Sequence, residues 1–392
     1  MCVATGLIDY PFGSKNFVIA GDPAQLPPVK IAGPALYSDT VGSVIHRTHA
    51  LKIQKQSMGK ALYHQFIHVV MLRQNMRQKG QSAEDAAYRT VLENLRYKKC
   101  TQADLDLMLT RVAGRGPNNP KIYDKNFRSV PIITGRNAAR DQTNVTGVGL
   151  FAADTGQQLI TFYSMDKFRT WADTEKKIER KRGKKPVDLT RQTDDVNGNI
   201  QEALWQLWPS RTEHHPGMLH LCKGMPVMIK DNQATELAVT NGAEAEVVDW
   251  TSHPLPDGKP VLDILFVKLK YPPFTIQIEG LPDNVVPIKR LAKDIKCSMK
   301  DDTTILITRD QIPIVQDFAM TDFASQGRTR PYNPVDPEFC LTHQSLYTAL
   351  SRSSTLSGTI LLQPIDPKIV QGKLNHTWVN SPAISMQTLE VI

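Results

Sequence analysis

Asp22 and Gln25 stand three residues apart in NFVIAGDPAQLPPV, residues 16–29, directly after the apolar run 17–20. A short continuous apolar run bounded by turn residues predicts a buried strand of a parallel sheet, and the carboxyl end of such a strand is where these sheets bind ligands. Asp22 and Gln25 therefore sit where chemistry is expected. The same residues also fit a plainer role, in which Gly21-Asp22 closes a core strand and Pro27-Pro28 stops any helix from following. A second apolar run opens FIHVVMLRQNMRQ, residues 66–78. It predicts another strand, which delivers Arg73, Gln74, Asn75 and Arg77 to its carboxyl end.

The elements that must hold these groups show in the periodicity. Tyr88, Val91, Leu92 and Leu95 recur at helical spacing, and Thr101 with Asp104 forms a capping box ahead of Leu105, Met108, Leu109 and Val112; both patterns predict amphipathic helices. SVPIITGRNAARDQTN, residues 129–144, reads as strand, glycine turn and helix. Alternating strands and helices indicate a parallel α/β sheet. From 225 to about 308 the texture changes to short β segments, with LDILFVKLKY and the alternating Phe274, Ile276 and Ile278 predicted as strands and Asn241-Gly242 as a two-residue hairpin turn. This predicts a small β-barrel inserted into the α/β body. The α/β texture resumes with FAMTDFASQGRTR, residues 318–330, and LYTALSRSST, residues 346–355.

Composition bounds the partners. The 392 residues are 41% hydrophobic and carry 47 Lys plus Arg against 39 Asp plus Glu, a net charge of +8, which favours polyanionic partners. KKIERKRGKK, residues 176–185, reads as a solvated basic surface, with nucleic-acid contact or a nuclear address as alternatives. The five cysteines are far apart and never spaced as a two-residue knuckle, so reduced thiols in an intracellular protein are expected. No apolar run approaches the ~18 residues of a membrane helix, so no membrane contact is expected. His214, His215, His220 and Cys222 are possible zinc ligands at a spacing that does not suit a tetrahedral site, and no metal centre is expected from this chain.

The order of these stretches along the chain is more specific than any one of them. Gly-Asp-x-x-Gln-Leu-Pro-Pro-Val, Asn-x-Arg-Gln, Ser-Gln-Gly-x-Thr and Thr-Ala-Leu-Ser-Arg, in that order, resemble the later motifs of superfamily 1 DNA helicases, above all the petite-integration-frequency (PIF) helicases related to RecD, including those of Helitron transposons. The resemblance runs from Pro11 to about Pro364. It implies an α/β fold of P-loop NTPase, RecA-like lobes with parallel sheets, ATP and magnesium as cofactors, and 5′-to-3′ unwinding of DNA with roles in repair, recombination and telomere maintenance. Single-stranded DNA or DNA junctions are the implied partners of a monomeric, nuclear protein.

By the same resemblance, Gln25 senses the γ-phosphate or its attacking water, and Arg77 and Arg352 act as arginine fingers, whose planar forks suit phosphate oxygens. Asp22 and Gly21, with Gln326 and Gly327, link nucleotide state to DNA. Ser325 and Thr329, with Asn241 and Gly242, are the implied DNA contacts. One departure stands out: Asp322 and Ala324 occupy positions where the family form has basic residues, so direct DNA contact is not expected there.

A complete helicase of this kind carries Gly-x-x-x-x-Gly-Lys-Thr/Ser and an Asp-Glu pair ahead of the Gly-Asp-Pro stretch. Neither occurs in this sequence; Gly59-Lys60 is followed by Ala61, and Gln54 stands five before Gly59. The chain is accordingly expected to be the C-terminal part of a helicase, with the phosphate loop and magnesium ligands missing and no appreciable ATP hydrolysis of its own. The alternative is a non-catalytic, single-stranded nucleic-acid-binding remnant of a transposon-derived helicase. The expected domains are a remnant of the first lobe at 1–63, the second lobe at 64–224 and 309–392, and the β-barrel at 225–308.

Overall fold

The computed structural model describes residues 2–28, 35, 41, 50–66, 68–70, 72, 74–169, 195–196, 198–373 and 388–389. Arg73 and the basic run 176–185 lie outside the described residues. The helices are α1 (Cys2–Thr5), α2 (Ala50–Tyr63), α3 (Ala83–Arg96), α4 (Gln102–Leu109), α5 (Asn137–Thr155), α6 (Gly198–Trp205), α7 (Asp322–Ser325), α8 (His343–Leu350) and α9 (Pro367–Val370).

The body is α/β. Strands β1 (Val69–Val70), β2 (Ile132–Thr134), β3 (Ile160–Tyr163), β4 (Met165–Phe168) and β5 (Met218–Leu221) precede the β-rich stretch. It holds β6 (Pro226–Ile229), β7 (Glu244–Pro254), β8 (Pro260–Leu269), β9 (Val285–Lys289), β10 (Leu291–Ser298) and β11 (Thr304–Gln311). Then come β12 (Ile314–Gln316), β13 (Ala319–Thr321), β14 (Asn333–Val335), β15 (Thr359–Leu361) and β16 (Thr388–Leu389). A parallel sheet runs in the order β13-β2-β14-β15, and α5 packs on its β2 and β13 edge. On α3 the helical stripe Tyr88, Val91, Leu92 and Leu95 is buried, and it joins Leu346, Ala349 and Leu350 of α8 in one core with Ile133 and Val335 of the sheet. The Thr101–Asp104 capping box that starts α4 is formed in full.

The β-rich region is antiparallel. One sheet runs β12-β6-β7-β8-β9, and β10-β11 pairs instead with β4. Its strands therefore pair with chain on both sides of residues 225–308. Arg309 on β11 faces Asp166 on β4 in register, and both side chains are fully buried.

Three local expectations are corrected. Residues 17–20 form no strand: they are unpaired, and Val18 and Ile19 are 88% and 53% exposed. An apolar run becomes a strand only where a neighbour takes its backbone groups, and among the described residues none does. Among its described residues, the run at 66–72 yields the strand Val69–Val70, paired in parallel with Thr388–Leu389. The residues 274–278 are not a strand either. Ile276 is buried, but its N–H donates to the Asn284 side chain at 3.0 Å and its carbonyl accepts from the Asn284 N–H at 2.8 Å; one residue, by side chain and backbone, takes the place of a partner strand.

Candidate functional site

Asp22 organises the turn that carries Gln25. Its carboxylate accepts from the Ala24 N–H at 3.0 Å and from Gln25 Nε2 at 3.3 Å, and the Gln25 N–H donates to its carbonyl at 3.1 Å. The other face of the carboxylate meets the body. Arg96, the last residue of α3, donates to both oxygens at 2.7 and 3.1 Å, a bidentate fork, and also to the Tyr347 hydroxyl at 3.0 Å. Gln344 on α8 donates to the carbonyls of Pro23 and Gln25 at 3.2 and 3.0 Å. The turn is thus seated on α3 and α8, while Gly21 is exposed beside it.

Arg352 and Arg77 lie next to this turn. Arg352 follows α8 and is 1% exposed; its Nε donates to the Thr348 carbonyl at 2.8 Å and its terminal nitrogen to Ser351 Oγ at 2.7 Å. Burial, reinforced by the neighbouring Arg77 charge and opposed by Tyr347 and Asp22, pushes its pKa down to about 10. Burial lowers Arg77 as well. Among the described residues neither guanidinium forms an ion pair with a carboxylate. Two neighbouring cations with no ion pair among the described residues, and only the more distant pull of Asp22, are a site that would take an anion.

Arg77 also reaches the glycine-bearing segment. Its terminal nitrogen donates to the Ser351 carbonyl at 2.8 Å, and its Nε donates to Thr329 Oγ1 at 3.0 Å. Backbone bonds run in parallel with this link: the Arg330 N–H donates to the Arg352 carbonyl at 2.8 Å, and the Ser354 N–H to the Arg330 carbonyl at 3.1 Å. Gln78 adds donations to the carbonyls of Ser351 and Ser353. Arg352 is thereby linked to the Thr329 segment through Arg77 and the backbone.

The segment after β13 turns sharply. Thr321 caps α7, and Gly327 at φ 79° swings the chain outward, leaving Gln326, Gly327 and Thr329 exposed. Arg328 then bridges two parts of the molecule: its guanidinium donates to the Gly242 carbonyl and to the Glu244 carboxylate at the start of β7, while its Nε holds the Ala324 carbonyl at 2.9 Å. Gln326, Gly327 and Thr329 are thereby placed on one face with Asn241 and Gly242.

Two readings of this face need correction. Ser325 is fully buried and its hydroxyl donates to the Asp322 carbonyl at 2.7 Å, so it presents nothing to a strand of DNA. Asn241-Gly242, with Gly242 at φ 93°, is not a two-residue hairpin but the last turn of the long connection from β6 to β7. The Gly242 N–H bonds the Ile229 carbonyl at 2.8 Å and closes that connection. Asp322 is buried and accepts from Ser345 Oγ, a structural use in keeping with its lack of positive charge. The histidines and cysteine at 214–222 do not converge: His214 contacts Arg140, His215 pairs with Asp231, His220 meets Thr161 and Cys222 is in the core.

Arg96, Tyr347, Gln344 and Arg328 carry much of this site and were not singled out by sequence. Tyr347 and Arg328 lie inside the quoted stretches, but only the packing of α3 against α8 turns Arg96 toward Asp22.

No protein-family model and no curated protein matches the chain. Among solved structures, it is similar to the Pif1 helicase from Candida albicans, with 18% identity and a TM-score of 0.56 over 96% of this chain and 70% of that one. It also matches the Bacteroides Pif1 helicase in complex with ADP-AlF3 and ssDNA, at 18% identity and a TM-score of 0.48 over 80% and 56%. The Bacteroides Pif1 bound to ssDNA follows at 18% and 0.46 over 78% and 54%. The chain thus spans little more than half the length of the Bacteroides proteins. The fold is α/β with a parallel sheet, and the likeness to the Candida enzyme is one of fold.

Proposed function

We propose that this chain serves ATP-dependent, 5′-to-3′ unwinding of DNA, with Gln25, Asp22, Arg77 and Arg352 on the nucleotide side and Gln326, Gly327, Thr329, Asn241 and Gly242 on the side of the single strand. One observation supports the reading: Arg77 stands beside Arg352, neither forms an ion pair among the described residues, and Arg77 bonds Thr329 with the same guanidinium. A phosphate-sensing cation and a strand-facing hydroxyl are one hydrogen bond apart.

When bound, ATP with its magnesium would supply the transferable phosphoryl group. The residues of this chain fit the phosphate part of that ligand, because the paired guanidiniums call for an anion. Among the described residues no cluster of three or more His, Cys, Asp or Glu suited to a metal ion occurs. Magnesium is therefore assigned to no residue here. Arg352 is enclosed, while Arg77 and the Arg330–Arg352 backbone bond link it to Thr329. The chain by itself turns over ATP slowly if at all.

The enclosure of Arg352 also favours a second reading, a non-catalytic protein that binds single-stranded nucleic acid without nucleotide. Oligonucleotide binding measured with and without ATP separates the two. The first reading predicts salt-dependent binding whose affinity changes on adding nucleotide, a response lost in Arg352→Ala. Nucleotide-indifferent binding overturns it in favour of the second. DNA-stimulated phosphate release that Arg352→Ala abolishes would overturn the claim that the isolated chain is inactive.

A further inference from the structure

Tyr271, Pro272, Pro273 and Phe274 follow β8 as a projecting loop whose aromatic residues are 74% and 52% exposed. The loop is held at both ends. Before it, the Leu269 N–H donates to the Asn284 carbonyl at 2.9 Å and the Lys270 N–H to the Glu244 carbonyl at 3.0 Å; after it, Ile276 is buried and clamped by Asn284. A ring placed for packing would turn inward, as Ile276 does two residues later. Pro272 and Pro273 fix their own φ and restrict the residue before each, which limits how far this bent loop can rearrange. Around Tyr271 and Phe274 lies an open recess of about 480 Å³ lined by Lys270, Thr275 and Asn284.

The location gives the recess its meaning. Glu244, whose carbonyl takes the Lys270 N–H, is the residue whose carboxylate receives Arg328, and Gly242 accepts from that same Arg328. The aromatic loop therefore adjoins the face of Gln326, Gly327, Asn241 and Gly242. Lys270 contributes an ammonium at its base, partly neutralised by Glu246 at 3.4 Å. Flat, exposed rings on a pinned loop beside a phosphate-compatible face suit unpaired bases, which offer a π-face whatever their sequence.

We propose that Tyr271 and Phe274 form a stacking platform for unpaired bases, extending the path of a single strand from the Ser-Gln-Gly segment onto the β-rich region. The proposal rests on the functional reading above and adds a site to it. The test is fluorescence anisotropy of a labelled oligothymidylate with the full chain, the variants Tyr271→Ala and Phe274→Ala, and the ring-retaining Tyr271→Phe. Each alanine variant should bind about tenfold more weakly, Tyr271→Phe should bind as the wild type does, and the slope of affinity against salt should stay unchanged because no phosphate contact is lost. Binding of a blunt duplex and the melting temperature should not move. Alanine variants that bind the oligothymidylate as tightly as the wild type would overturn the platform alone, as would an equal loss on duplex. A wild-type chain that does not bind the oligothymidylate at all would overturn the functional reading and the platform with it.

Discussion

Two buried arginines in this molecule are treated in opposite ways. Arg309, between β11 and β4, gives Nε and a terminal nitrogen to Asp166 at 2.8 and 2.7 Å and the rest of its fork to the carbonyls of His215 and Leu204. Arg352, just as enclosed, forms no ion pair among the described residues: it meets a carbonyl and a hydroxyl, has Arg77 for a neighbour and feels Asp22 only through its charge. The first charge is balanced where it stands and serves the fold. The second is buried without an ion pair, a desolvation cost that the proposed role toward an anion would explain.

The sharpest way to break this contrast is to remove the partner that exists. Asp166→Ala leaves Arg309 buried and unbalanced and should cost about 3–5 kcal/mol in urea unfolding. A loss below about 1 kcal/mol would mean that the balance around Arg309 is not what holds β4 to β11.

Asp317 is an intermediate case, a buried carboxylate near Arg328 and Arg330, which Glu244 already engages. Burial first, and the Glu244 charge second, raise its pKa to about 7 against the pull of the two arginines. The folded state then keeps a proton that the unfolded chain releases, so this contribution to stability is full below about pH 4 and drains away as pH rises to about 7. Asp317→Asn should therefore stabilise the protein by about 2 kcal/mol at pH 8 and by little at pH 4 to 5. His214 and His215, held down to about 4 mainly by burial, slope the other way as pH falls below their ordinary value. They are common to both proteins and cancel in the difference between their melting temperatures.

Smaller effects are expected at the unbalanced pair. Arg352→Met should change stability by no more than about 1 kcal/mol, because relief of desolvation offsets two lost hydrogen bonds. Arg77→Lys, at a half-buried position, should stay within about 0.5 kcal/mol and yet weaken the response of DNA binding to nucleotide, since an ammonium cannot reach Thr329 and Ser351 as a fork does. A large loss of stability in either would place these arginines with Arg309, among the residues that hold the fold.

Much of the framework was legible where the signal is local. The α3 stripe, the capping box of α4, the turn from β2 to α5 and the strand at β8 each depend on neighbours within a few residues, and each formed. Where a partner from elsewhere decides, the reading failed. Residues 17–20 needed a strand to pair with, 274–278 found Asn284, and Asn241-Gly242 ended a long connection because Ile229 closes it. The same division runs through the site. Motif order pointed to Asp22, Gln25, Arg77, Arg352 and the Ser-Gln-Gly segment, but residue type alone could not show that Ser325 turns inward or that Arg96 and Tyr347 seat the Asp22 turn.

The most direct test compares the melting temperatures of the wild type and Arg352→Met in chloride and in pyrophosphate at matched ionic strength. The wild type should melt higher in pyrophosphate than in chloride and the variant should not distinguish the two, which would mark the unbalanced arginines as the anion site. An equal rise in both proteins would contradict that assignment and leave Arg352 a buried structural residue.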